Sequence, residues 1–218
     1  MKRVVSLLLS FVMVFSLVAC SNSAASERQD LAAVQSEEVQ DITQETVEQS
    51  AVLQEAEMGT RTLVAYFSCT GTTQPLAEYA AEILGADLYE IVAEDPYTEA
   101  DLAYYTGGRA DKEQEDPSSR PAISGSVENM DSYDTILIGY PIWHGQAPRI
   151  ISTFLESYDF SGKTIVPFCT SHSSGIGSSA TNLHELCSDS ARWMDGRRFE
   201  AGTSRDAIEE WLGSMGIK

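Results

Sequence analysis

Four hydroxyl side chains crowd one short stretch of this chain: Ser68, Thr70, Thr72 and Thr73, with Gly71 among them, in Tyr66-Phe67-Ser68-Cys69-Thr70-Gly71-Thr72-Thr73. Such a loop can turn several free backbone N–H groups toward one spot, and an anion suits that spot. The loop holds no Lys or Arg, so amides and hydroxyls alone would carry the negative charge. That chemistry fits a phosphate monoester better than a nucleotide triphosphate. The elements needed to position it lie on either side. Thr62-Leu63-Val64-Ala65-Tyr66-Phe67 is a nearly continuous apolar run, which predicts a strand buried on both faces. Leu76, Tyr79, Ala80, Ile83 and Leu84 share one helical stripe over 74–84, and Pro75 is tolerated in a first turn. A helix beginning there adds about half a positive charge at its N-terminus.

Competing chemistries lack their residues. There is no G-x-x-x-x-G-K-[ST] loop, no G-x-G-x-x-G fingerprint and no G-x-S-x-G elbow. Gly175-Ile176-Gly177 is a fragment of the second and reads as a turn feeding the next helix. Cys69 at a strand-to-helix turn could be a phosphatase nucleophile, but the sixth residue after it is Pro75 where that loop needs Arg. His144, His172 and His184 do not stand at metal-ligand spacing, and His184 follows helix periodicity beside Leu183 and Leu186. Arg149 opens a helix and reads as a surface cation.

Beyond the first loop the pattern alternates: helix 74–84, strand 87–92, strand 134–139, helix 147–156, strand 163–169, helix 177–187, a weak strand near 190–194 and helix 204–215. Apolar strands alternating with amphipathic helices predict a parallel sheet covered on both faces and wound right-handedly. Residues 94–121 interrupt the rhythm with Pro96, Gly107-Gly108, Pro117 and Pro121. A stretch of that length inside a domain is functional or partly helical. Tyr104-Tyr105 within it could close over a pocket.

Ser68-x-Thr70-Gly71-x-Thr73 resembles the phosphate loop of flavodoxins, which take the 5′-phosphate of FMN there. Asp134-Thr-Ile-Leu-Ile-Gly139-Tyr140-Pro141-Ile142-Trp143-His144-Gly145 resembles their third strand and first ring loop. Ser161-Gly-Lys-Thr-Ile-Val-Pro-Phe-Cys169-Thr170-Ser171 resembles the fourth strand and second ring loop. The likeness runs over about residues 61–218. It implies an α/β, flavodoxin-like, doubly wound five-stranded parallel sheet in three layers, with FMN as cofactor. Ser68, Thr70, Gly71, Thr72 and Thr73 are then expected at the phosphate. Pro141, Ile142, Trp143, His144 and Gly145 are expected along one side of the isoalloxazine, and Thr170, Ser171 and Gly175 at its pyrimidine edge. Trp143 is expected to stack on the ring and Tyr140 to pack against the sheet. His144 replaces a second Trp frequent in the family, and His172-Ser173 stands where Gly-rich sequence is usual.

The N-terminus bears on location. Lys2-Arg3 precedes an apolar segment, Val4 to Ala19, too short to span a bilayer comfortably. Leu17-Val18-Ala19-Cys20 resembles the lipobox of bacterial lipoproteins, which implies a signal peptide at 1–19 and lipidation of Cys20. An uncleaved signal anchor is the alternative. Residues 21–60 carry nine acidic residues against Arg28 alone and no aromatic residue, so they cannot bury enough apolar surface to order themselves. Residues 20–60 therefore read as an acidic flexible tether of roughly 35 Å mean span, and residues 61–218 as one domain.

That domain has 24 acidic and 11 basic residues, a net charge of −13, which argues against nucleic acid and against anionic lipid surfaces. With Cys20 set aside, three cysteines are left, an odd number that argues against a disulfide framework. The expectation is an FMN-binding lipoprotein on the outer face of a bacterial membrane, touching lipid through its anchor only. It would carry electrons between redox partner proteins. Two alternatives stand beside it: an FMN-dependent NAD(P)H or quinone oxidoreductase, and a phosphate-ligand module that no longer uses flavin.

Overall fold

Continuous apolar runs in this chain alternate with apolar stripes of period near 3.6, and the backbone follows them. The structure, a computed structural model, describes residues 60–217. The expected signal peptide, Cys20 and the tether up to residue 59 lie outside the described residues. Strand β1 (Thr62–Tyr66) leads through the hydroxyl loop into helix α1 (Gln74–Leu84), which hands over to β2 (Asp87–Glu90). A short antiparallel pair, β3 (Val92–Ala93) and β4 (Ile123–Ser124), brackets two small helices, α2 (Glu99–Leu102) and α3 (Arg109–Glu115). Then come β5 (Thr135–Pro141), α4 (Arg149–Glu156), β6 (Thr164–Thr170), α5 (Ser178–Thr181), β7 (Arg192–Trp193), β8 (Arg197–Phe199) and α6 (Arg205–Ser214).

The main sheet runs β2-β1-β5-β6-β7, every pairing parallel, with β8 also on β6. Alternate residues of the central strands serve opposite layers, as the pleat requires. Leu63, Ala65, Ile136, Ile138 and Tyr140 pack with Ile150, Ile151, Phe154 and Leu155 of α4. Val64, Tyr66, Leu137, Val166 and Phe168 pack with α1 and with Ile208, Trp211 and Leu212 of α6. This is the expected flavodoxin-like, doubly wound, three-layer sheet. No helix among the described residues is long and apolar enough to cross a membrane.

The weak strand expected near 190–194 occupies the fifth sheet position in two pieces, β7 and β8. Met194 N–H donates to Ile165 O at 2.9 Å, so by alternation Pro167 also faces this edge. A proline has no N–H to offer, and the break between Trp193 and Arg197 falls opposite it. Gly196 fits the break because a Cβ there would overlap Ile176 and Pro167.

Helix 177–187 is a correction. Only Ser178–Thr181 is α-helical, followed by a separate 3-10 turn at His184–Leu186. The hydroxyls of Ser179 and Thr181 bond back to Ile176 O and Ser178 O, at 2.6 and 3.2 Å, and compete with helix hydrogen bonds. His184 stacks on Trp193, with ring centroids 4.5 Å apart.

Candidate functional site

Three strands end side by side at their carboxyl edge, and the loops that leave them enclose a cavity of about 480 Å³. From the loop after β1 come Ser68, Cys69, Thr70, Thr72 and Thr73. From the end of β5 and the loop beyond it come Pro141, Ile142 and Trp143, and from the end of β6 come Thr170, Ser171 and His172. Leu102, Tyr104, Glu200 and Ala201 complete the wall. Open α/β sheets bind ligands in this crevice because the chain departs in different directions there.

The hydroxyl loop is braced from within. Gly71 takes φ +72°, a left-handed turn that a side chain would strain. Ser68 Oγ accepts the Thr73 N–H at 3.2 Å, and the Thr70 and Thr72 hydroxyls lie 3.2 Å apart. Thr73, the residue before α1, is buried, and its Oγ1 lies 2.8 Å from Oγ1 of Thr170. That bond ties the loop to the end of β6. The backbone N–H groups of Thr70, Gly71 and Thr72 have no acceptor among the described residues. Among the described residues no Lys or Arg lines the cavity.

The loop after β5 is a tight turn. Trp143 and Gln146 exchange both backbone hydrogen bonds, each at 2.9 Å, while His144 and Gly145 between them take φ +48° and +77°. Both central residues are left-handed, as a type I′ turn demands; Asn-Gly is the usual occupant, so His is costly here. Its cost is offset from α3. His144 Nε2 lies 2.7 Å from Asp111 Oδ1, and Asp111 Oδ2 accepts the N–H groups of Thr106 and Gly107 at 2.8 and 2.9 Å. Burial pushes the Asp111 carboxyl upward, but the amides of Gly107, Tyr105 and Thr106 and the His144 ring outweigh it and hold the group below the usual range.

A second clasp lies alongside. Gln114 Nε2 donates to Trp143 O and Ala147 O, and Arg149 reaches Glu113 O and Gln114 O. Arg149 is therefore a brace between α4 and α3 rather than a surface cation. Opposite, Arg198 donates to the carbonyls of Ser171 and His172 at 3.0 Å each.

The structure brings together nine of the residues singled out in the sequence: Ser68, Thr70, Thr72, Thr73, Pro141, Ile142, Trp143, Thr170 and Ser171. Gly71 and Gly145 shape turns without lining the cavity, and Gly175 does not line it. His144 is not among the residues that line the cavity and its ring bonds to Asp111, whereas His172 does border the cavity. Trp143 borders it with little of its surface. It is 8% exposed and edge-on to Phe67 and Tyr97, at 5.5 and 5.2 Å between centroids. Tyr140 is buried within the layer facing α4, as expected. Leu102, Glu200 and Ala201 carried no signal, since each comes from a segment with no motif. Burial pushes the Cys69 thiol up to about 11 despite the opposing pull of Arg109. Among the described residues no group of His, Cys, Asp and Glu could hold a metal ion.

Residues 61–215 match the family described as flavodoxin. A crystal structure described as a putative flavoprotein, from Bacteroides eggerthii, is 45% identical with a TM-score of 0.68, covering 73% of this chain and 100% of that one. Another, from Bacteroides uniformis, is 44% identical with a TM-score of 0.67 over 71% and 99% of the two chains. A flavoprotein in complex with FMN from Lactobacillus acidophilus is 25% identical, with a TM-score of 0.54 over 70% and 99%. No curated protein matches the chain. The match over residues 61–215, well over half of the chain, places it in the flavodoxin family.

Proposed function

We propose that the domain binds FMN in the cavity at the carboxyl edge of its sheet and carries electrons between redox partner proteins. The observation that carries the reading is the hydroxyl loop. Three successive amides, Thr70 to Thr72, find no acceptor among the described residues, beside the N-terminus of α1 and within hydroxyl reach. Thr70 and Gly71 are exposed and Thr72 is half-buried, so the loop is open to an incoming phosphate, which can accept from several amides at once. A cavity of about 480 Å³ falls in the size range of cofactor sites. The FMN complex of the Lactobacillus acidophilus relative supports the same ligand.

When bound, FMN would supply the electron transfer, and the chain would supply binding and orientation. Thr70, Thr72 and the amides between them would hold the phosphate, with Ser68 and Thr73 fixing the loop from inside. Pro141, Ile142 and Trp143 on one side and Thr170, Ser171 and His172 on the other would bound the ring. Arg198 keeps the second group in place through the Ser171 and His172 carbonyls.

Export and lipid attachment belong to the same proposal. Lys2-Arg3, the apolar segment to Ala19 and Leu17-Val18-Ala19-Cys20 support lipidation at Cys20 and a place on the outer face of a membrane. Nicotinamide cofactors are scarce there, which favours a carrier over an NAD(P)H reductase.

Flavin fluorescence quenching with the full-length protein tests the ligand. FMN should bind at least tenfold more tightly than riboflavin, because phosphate accepts charge-assisted hydrogen bonds from the loop. Thr70→Ala should weaken FMN and leave riboflavin nearly unchanged. Equal affinity for the two ligands would overturn the phosphate-loop reading.

A further inference from the structure

We propose that Tyr104, from the 94–121 segment, supplies the aromatic surface on which the ring of the bound flavin rests, a role that assumes the FMN reading above. Trp143 is the sequence's first candidate for that contact, but its ring is spent on Phe67 and Tyr97 and only 8% of it is exposed. Tyr104 borders the same cavity and is 52% exposed. An aromatic face left open to water at a cavity wall gains by being covered, and a flat heteroaromatic ring covers it best.

The side chain is held ready for that contact. Tyr104 Oη donates to Ile142 O at 3.0 Å, which anchors it to the loop after β5. The His144 ring packs 5.0 Å from it. Its backbone belongs to the turn that Asp111 gathers through the amides of Thr106 and Gly107. A ring fixed before binding loses little rotamer freedom when the ligand arrives. Tyr105 is 85% exposed and does not border the cavity, so the pair is not interchangeable. His144 then acts at one remove, as a positioning residue for the segment that presents Tyr104.

Titrating FMN and riboflavin into full-length wild type, Tyr104→Ala, Tyr104→Leu and Tyr104→Phe decides the matter. A ring contact is blind to the phosphate, so Tyr104→Ala should weaken both ligands by the same factor, roughly tenfold. It should also leave bound flavin brighter than in wild type. Tyr104→Leu keeps apolar bulk without a flat face and should behave like Tyr104→Ala, while Tyr104→Phe should stay close to wild type. Unchanged affinity and quenching in the Ala and Leu variants would overturn the proposal, as would a loss confined to FMN. A wild-type protein that binds neither flavin would overturn the reading of the site itself, and this proposal with it.

Discussion

The imidazole Nε2 of His144 lies 2.7 Å from Asp111 Oδ1, joining a left-handed turn residue to a buried carboxylate 33 positions earlier. This bond ties the loop after β5, which supplies Ile142 and Trp143 to the cavity wall, to α3 in the segment that supplies Leu102 and Tyr104. Its partners are polar groups that must stay satisfied once water is excluded.

The pH dependence of that link has a definite sign. The Asp111 carboxyl is held below its ordinary value in the folded protein, so its contribution is present above the unfolded value near 3.9 and is lost as pH falls through the folded value. Asp111→Asn should therefore lower Tm by a few degrees at pH 7. The gap to wild type should narrow below about pH 4. Thermal melts from pH 3 to pH 8 check it, and a gap independent of pH would contradict it.

Thr73 and Thr170 share a buried hydroxyl pair at 2.8 Å. Thr73→Val leaves the Thr170 hydroxyl without its partner and should cost about 1–3 kcal/mol in urea unfolding. Adding Thr170→Val should recover part of the loss, since two apolar groups of like shape need no hydrogen bond. Single effects that merely add would show that the pair is not coupled.

Cys69 lines the cavity but should be a poor nucleophile. Its thiol is raised from 9.0 to about 11 by burial, which lowers the thiolate fraction at neutral pH about 100-fold. Alkylation by iodoacetamide, followed by mass spectrometry, should be slow at pH 7.5 and accelerate only well above pH 9. Rapid labelling at neutral pH would revive a nucleophilic role.

A carrier and a reductase differ in their source of electrons. Mixed with NADH or NADPH and no added reductase, the FMN-loaded protein should bleach only over many minutes, while dithionite should reduce it promptly. Quinone-dependent turnover of a nicotinamide at roughly 1–1000 per second would establish the reductase instead.

Much of this protein is legible along its own chain. The runs at 62–67, 134–139 and 163–169 are apolar on both faces, so burial in a covered parallel sheet follows from local composition. The loop at 68–73 is equally local, because its hydroxyls, glycine and following helix are consecutive and need nothing distant to define them. The helix expected over 177–187 failed for a local reason too, since serine and threonine hydroxyls compete for the carbonyls that a helix needs. Only the tertiary structure decided the rest. His144 and Trp143 stand in the ring loop by position, yet one turns to Asp111 and the other into the core, choices made by residues 33 or more positions away. Tyr104 reached the wall, and Arg149 became a brace, because the 94–121 segment folds back on the loop after β5. A side chain's direction in a turn is set by the partners that satisfy its polar atoms, and those partners are assembled by the fold.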